Sequence, residues 1–361
     1  MIRHTCSLLL IFFCLHIANG QTQKEENSPL TFGELEGSGF NADSIQHLAN
    51  LIWETPPKDF RGLVVIKNNE VVIEEYFHTF WRNTIHDIRS AGKSITAMLL
   101  GIAIEQGLVD DIDRDIYSFF PKDKYPAINE DYKKFTLRHV LNMSSGLDAD
   151  SEDNNTPGHA GQWIAMDDWS SYLLSVPHIE EPGKKWVYAD IHALLIGMIV
   201  EETSGMSLKD FAKKYLFDPL GIEQWYWYTN ASGQTGAAGN LYLTTLDFAK
   251  LGMVIVNEGK WGDQQLMEES YVEELISSKV FDVSDIISIT DYYGFMWYKS
   301  HREFGDNTFD YLYASGNGGN HLVVIPDREI VIALTSSAYG PGLGHRRTYN
   351  IMGRVLRVLE E

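Results

Sequence analysis

Ser90 and Lys93 stand three positions apart in the run Arg89-Ser-Ala-Gly-Lys-Ser94. If that run opens a helix, the two side chains share one face and can meet. A serine hydroxyl attacks a carbonyl poorly until a neighbour takes its proton, and a lysine can do so only when uncharged. Burial penalises the charged amine, so a lysine beneath apolar residues acquires that state. A serine at a helix start also has backbone N–H groups at hand for a developing oxyanion. Taken alone, Ser-x-x-Lys is short enough to arise by chance, and a solvated surface pair explains it equally well. Its context sets it apart. Ile95, Met98, Leu99, Ile102 and Ala103 keep helical spacing, and the apolar character runs nearly all round, as in a helix at the centre of a molecule.

Two further segments carry groups able to join this pair. In Glu181-Pro-Gly-Lys-Lys-Trp-Val-Tyr-Ala-Asp190, Pro182-Gly183 forces a turn and Asp190 is placed to cap a following helix. Tyr188 is then held just before that helix, where its phenol can shuttle a proton beside a lysine; a buried Tyr with a satisfied hydroxyl fits the same residue. Trp186, two positions earlier, is either a wall of a substrate pocket or a core residue. In Ala314-Ser-Gly-Asn-Gly-Gly-Asn320, Ser315 and Gly316 end a strand signal. Glycines there let the backbone approach a ligand, and an edge strand would offer the N–H of Asn317 to an oxyanion. A plain Gly-rich hairpin turn is the alternative.

The elements that must position these groups follow from periodicity. Gly62–Lys67 and Val71–Tyr76 read as a hairpin turned by Asn68-Asn69. Helices are expected over Phe40–Trp53, Ala91–Gln106, Ala189–Thr203 and Arg346–Leu359, with Thr245 capping another over Leu246–Asn257. Strand signals return at Tyr293–Lys299, Asp310–Tyr313, His321–Ile325 and Glu329–Leu334. The expectation is an α+β fold: a sheet part over about residues 28–125 and 287–361, and an all-α insertion over about 126–286. A cleft commonly forms where two such parts meet.

Composition narrows the chemistry. The 29 Lys and Arg against 50 Asp and Glu leave a net charge of −21, which repels phosphate backbones and disfavours nucleic-acid binding. Residues 1–20 read as a signal peptide: Arg3, an apolar run from Leu8 to Ile17, then the small residues Ala18-Asn19-Gly20. That run is too short for a comfortable membrane span, so an exported protein without a stable anchor is expected, periplasmic or secreted. Cys6 and Cys14 both fall in this segment, so no Cys nucleophile, Cys-ligated zinc or disulfide is expected beyond it. His86, His139, His192 and His321 show no metal-ligand spacing, and His-Glu-x-x-His and Gly-x-Ser-x-Gly are absent. No metal or cofactor is expected, and the oligomeric state is left open.

Together, Ser90-x-x-Lys93, Tyr188-x-Asp190 and Ser315-Gly316 resemble, in order and separation, the serine β-lactamase and penicillin-binding superfamily. The likeness is closest to its class C-type members, in the branch containing 6-aminohexanoate-dimer hydrolase and related esterases. Gly107-Leu-Val-Asp-Asp-Ile-Asp, Phe135 to Leu147 and Gly239 to Gly252 extend it over roughly residues 40 to 360. The resemblance implies a β-lactamase-like fold, with an antiparallel sheet flanked by terminal helices. It implies an acyl-enzyme on Ser90, proton exchange through Lys93 and Tyr188, and an oxyanion hole from the N–H groups of Ser90 and Asn317. It also implies substrate contacts from Asp190, Ser315, Gly316 and Trp186. Two residues depart from the pattern. Asp190 stands where the family has Asn, and a carboxylate there favours a protonated Lys93 unless it turns away. Ala314 stands where β-lactamases carry Lys or His, with His345, Arg346 and Arg347 as possible replacements. The expected substrate is therefore a neutral or cationic small ester or amide. The rival readings are a β-lactamase or peptidoglycan D-peptidase, and a catalytically silent binding protein on the same scaffold.

Overall fold

The computed structural model describes residues 28–340 and 342–360; the signal-like residues 1–20 lie outside them. Asn68 and Asn69 adopt left-handed φ of 54° and 60° and turn β2 (Phe60–Lys67) into β3 (Glu70–Tyr76). Seven more strands complete the sheet: β1 (Thr31–Phe32), β4 (Phe281–Asp282), β5 (Tyr292–Gly294), β6 (Trp297–Phe304), β7 (Asn307–Gly316), β8 (Asn320–Ile325) and β9 (Ile330–Ser336). Their order is β1-β3-β2-β9-β8-β7-β6-β5-β4, antiparallel except for β1 against β3.

Strand alternation feeds two cores. Leu63 and Val65 of β2, Val323 of β8 and Ile332 of β9 pack under the terminal helices α1 (Ala42–Glu54) and α6 (Leu343–Arg357). Val64, Ile66, Leu322 and Val331 face the other way. There they meet α2 (Gly92–Glu105), α3 (Asp190–Ser204), α4 (Thr245–Val256) and α5 (Glu269–Ser277). A sheet covered on both faces explains why these strands read as continuous apolar runs. Every residue of α2 from Gly92 to Ala103 is buried, as its all-round apolar character required. Among the described residues no helix is long and apolar enough to cross a membrane.

Two features correct the expected layout. The segment 126–286 is not purely helical, because Trp225–Trp227 and Leu241–Leu243 form a small sheet with His86–Asp87. α4 belongs to the sheet layer: Thr245 Oγ1 is 2.8 Å from Thr335 Oγ1, and Gly252 lets the helix settle on Val331. Its cap is Thr244, whose hydroxyl accepts from the Asp247 N–H at 3.0 Å, one residue earlier than expected.

Candidate active site

The nucleophile candidate follows the strand residues His86–Asp87 on a tight turn. Arg89 takes a left-handed φ of 54°, and its N–H donates to Asp87 Oδ1 at 2.8 Å. A non-glycine residue held there costs about 1–3 kcal/mol, which persists because the surroundings lock it. Two glycines form part of the lock. A Cβ on Gly316 would sit 1.9 Å from the Ile88 carbonyl oxygen, and one on Gly239 3.0 Å from that of Arg89. The strand end carrying Gly316 therefore lies directly on the turn that presents Ser90. Gly316→Ala is expected to destabilise the fold by about 1–3 kcal/mol and to lower kcat/KM at least roughly tenfold by shifting Ser90 against Asn317. Thermal unfolding and ester hydrolysis check this; wild-type values for both would show that the contact is slack.

α2 anchors the facing loop with polar groups otherwise misplaced in an apolar helix. Thr96 Oγ1 donates to the Ala237 carbonyl at 2.7 Å, and Lys93 Nζ to the Ala238 carbonyl at 2.9 Å. Trp227 Nε1 holds the Gly236 and Gly239 carbonyls, each at 3.0 Å. Lys93 is buried, and its Nζ lies 2.7 Å from Asp190 Oδ1 and 4.9 Å from the Tyr188 ring centre. Burial pulls the amine downward as the largest single effect, yet the Asp190 carboxylate and the Tyr188 phenol together outweigh it. The net displacement is upward from the ordinary lysine value. The uncharged Lys93 expected from burial alone is therefore corrected: Asp190, 97 positions along the chain (190 − 93), folds against it and favours the protonated amine. Asp190 is likewise no helix cap; the cap position is Ala189, and Asp190 is the first helical residue with its carboxylate turned to Lys93.

Tyr188 and Asp190 are held by the loop after residue 143. Val187 N–H donates to the Met143 carbonyl at 2.9 Å, Ser151 N–H to the Tyr188 carbonyl at 2.9 Å, and Asp190 N–H to Ser151 Oγ at 3.2 Å. His192, buried, lies 2.8 Å from Ser145 Oγ through Nε2 and 3.2 Å from the Ala189 carbonyl through Nδ1. Burial pushes this imidazole down to about 4, so it is neutral at pH 7, donating from Nδ1 and accepting at Nε2. Sequence reading dismissed His192 as a metal ligand but missed this bridging task; its place two residues after Asp190 was the available signal.

Ser90, Asp190 and Asn317 line one cleft of about 210 Å³ together with Arg89 and Asn240. Its other side is Trp163, Ile164, Trp169, Leu194 and Tyr228, with Trp163 and Trp169 edge to face at 5.2 Å. Ser315, Gly316 and Trp186 are outside this wall. Ser315 Oγ is 3.3 Å from His345 Nδ1, and Trp186 packs on Tyr188 and Tyr293 at 6.2 and 5.3 Å. Trp186 thus packs between Tyr188 and Tyr293. β7 is not an edge strand, since β6 and β8 flank it. Its pairing with β6 stops at Tyr298↔Tyr313, however, and Ala314–Gly316 run on past it toward the nucleophile turn.

The site thus sits on a sheet covered on both faces, with an inserted, partly helical lobe and a serine turn beside a buried lysine. The β-lactamase family profile matches residues 57–355, and the chain belongs to that family. Penicillin-binding protein 4* of Bacillus subtilis is 27% identical over 158 residues, covering 39% of this chain and 30% of that protein. The match thus spans under a third of that relative's length. Among solved structures, a candidate 6-aminohexanoate-dimer hydrolase from Bacillus anthracis superposes with a TM-score of 0.69 at 20% identity, over 84% of this chain and 81% of that one. The D-amino acid amidase from Ochrobactrum anthropi SV3 superposes with a TM-score of 0.65 at 18% identity, over 88% and 98%.

Proposed function

We propose that this protein cleaves an ester or small amide through an acyl-enzyme on Ser90. The carrying observation is the buried Lys93, held by Asp190 and adjoining Tyr188, one helical turn beyond a serine that opens into a cleft. Ser90 Oγ attacks the carbonyl carbon and gives up its proton to the Tyr188 oxygen, which acts as base in its deprotonated form. The Lys93 ammonium offsets the negative charge on that oxygen, a part it can play only while charged. The N–H groups of Ser90 and Asn317 oppose the charge on the carbonyl oxygen. Collapse of the tetrahedral adduct breaks the C–O or C–N bond, and the departing group takes the proton from Tyr188. Water then repeats the sequence on the Ser90 ester. The signal-like segment 1–20 supports an exported protein acting on a small molecule outside the cytoplasm.

A fluorophosphonate tests the nucleophile. Adduct mass on the peptide containing Ser90, with none on the Ser90→Ala protein, is the expected result. Asp190 in place of the family's Asn is the feature that favours the silent-scaffold reading, and unlabelled wild-type protein would establish that reading instead. Parallel assays with p-nitrophenyl acetate, nitrocefin and a D-Ala-D-Ala peptide separate an esterase from a β-lactamase or D-peptidase.

A further inference from the structure

Ala314 leaves β7 without a cation, and the basic residues that open α6 do not replace it. Arg347 Nη2 is engaged by Asp59 and by Ser336 Oγ at 3.0 Å and does not line the cleft. His345 Nδ1 meets His321 Nε2 at 3.0 Å and Ser315 Oγ at 3.3 Å, and burial keeps it below the ordinary imidazole range. Arg346 is exposed and is not part of the cleft wall. The basic residue that does line the cleft, among the described residues, is Arg89, immediately before the nucleophile.

Arg89 is braced from two directions. Its guanidinium carbon sits 4.7 Å above the centre of the Tyr339 ring, and its Nε lies 3.1 Å from Oδ2 of the buried Asp87. Asn240 Nδ2 donates to that same Asp87 oxygen at 3.4 Å. The Arg89 side chain is nevertheless 41% exposed, and among the described residues neither Nη atom has a hydrogen-bond partner. Nε is within ion-pair distance of Asp87 without a hydrogen bond to it, and the ring of Tyr339 stacks on one face, so the guanidinium is held and still presents its Nη groups in a planar fork, the geometry that matches a carboxylate. The wall's acidic group, Asp190, is already neutralised by Lys93 and does not oppose an anion there. The remainder of the cleft is the aromatic and aliphatic pocket of Trp163, Trp169 and Leu194. Asp87 offsets part of the Arg89 charge from the Nε side, so the cleft has a partly exposed guanidinium pole and an apolar pole, with Ser90 on the same wall.

We propose that Arg89 makes a carboxylate subsite, so that preferred substrates carry a carboxylate and an apolar group on opposite halves of the scissile ester or amide. This inference rests on the acyl-serine reading above, and it replaces the neutral or cationic substrate expected from Ala314. The net charge of −21 repels anions at long range, so the preference arises from contact and not from steering.

Two matched ester pairs test it. Phenylacetyl glycolate and phenylacetyl glycolamide place the charge, or its neutral counterpart, on the leaving half. Phenyl hydrogen glutarate and phenyl glutaramate place it on the acyl half. In wild type, at least one pair is expected to show kcat/KM roughly tenfold or more in favour of the carboxylate, the scale of a paired charge-assisted contact. In Arg89→Gln that ratio is expected to fall to about one, with Arg89→Lys between. Ratios at or below one for both pairs in wild type overturn the proposal, as does a ratio unchanged in either variant. Failure of the acyl-serine reading looks different: none of the four esters is cleaved and the fluorophosphonate leaves Ser90 unlabelled.

Discussion

Replacing Ser90 by alanine is expected to lower kcat for a short-chain p-nitrophenyl ester by roughly 10,000-fold or more, the scale seen when one member of a hydrolytic unit is removed. The loss is chemical, not structural. Ser90 is half-buried and opens into the cleft, so removing one hydroxyl shifts the unfolding midpoint by no more than about 2–4 °C, the equivalent of about 1 kcal/mol in a large domain. Stopped-flow hydrolysis beside thermal unfolding separates the two. A Ser90→Ala protein retaining a tenth of wild-type turnover would leave the site without its nucleophile and end the mechanism.

Lys93→Met is expected to be the next most damaging change, costing roughly 1,000-fold or more in kcat together with stability. Methionine fills a similar volume in the first turn of α2, so packing survives, but the Asp190 carboxylate loses its counter-charge and the Ala238 carbonyl its donor. Breaking a fully buried pair costs about 3–5 kcal/mol; with Asp190 26% exposed, water screens part of this and about 1–3 kcal/mol is expected. The sign of the pH dependence is fixed by the direction of the Lys93 shift. A group that binds its proton more tightly folded than unfolded contributes fully below the ordinary lysine value of 10.5, and the contribution disappears as pH rises through the higher folded value. The gap between wild type and Lys93→Met, measured by denaturant unfolding, should thus be constant from pH 6 to 9. A gap that closes within that window would mean that Lys93 is uncharged in the folded protein, returning it to the role of base.

Much of this site was legible before any coordinates. The α2 pattern marks a buried helix, and Ser90 and Lys93 are recognisable from their place at its mouth and not from spacing alone, because helical periodicity is a local property. The Asn68-Asn69 hairpin was equally plain, since left-handed φ at two adjacent residues needs residues that tolerate it. Whether Trp186 meets ligand or neighbour, and whether the strand ending at Gly316 is flanked, is not legible in the sequence, because each depends on residues far away in the chain.

What the sequence by itself determined is the set of chemical groups, the elements that carry them and the family to which the chain belongs. What tertiary structure decided is their charge and their company. Lys93 is an ammonium because Asp190, 97 positions later (190 − 93), folds back to within 2.7 Å, and Arg89 faces a cleft because Asp87 and Tyr339 brace it there. Coulomb energy and desolvation depend on distance and surroundings in space, and neither quantity exists until the chain has folded.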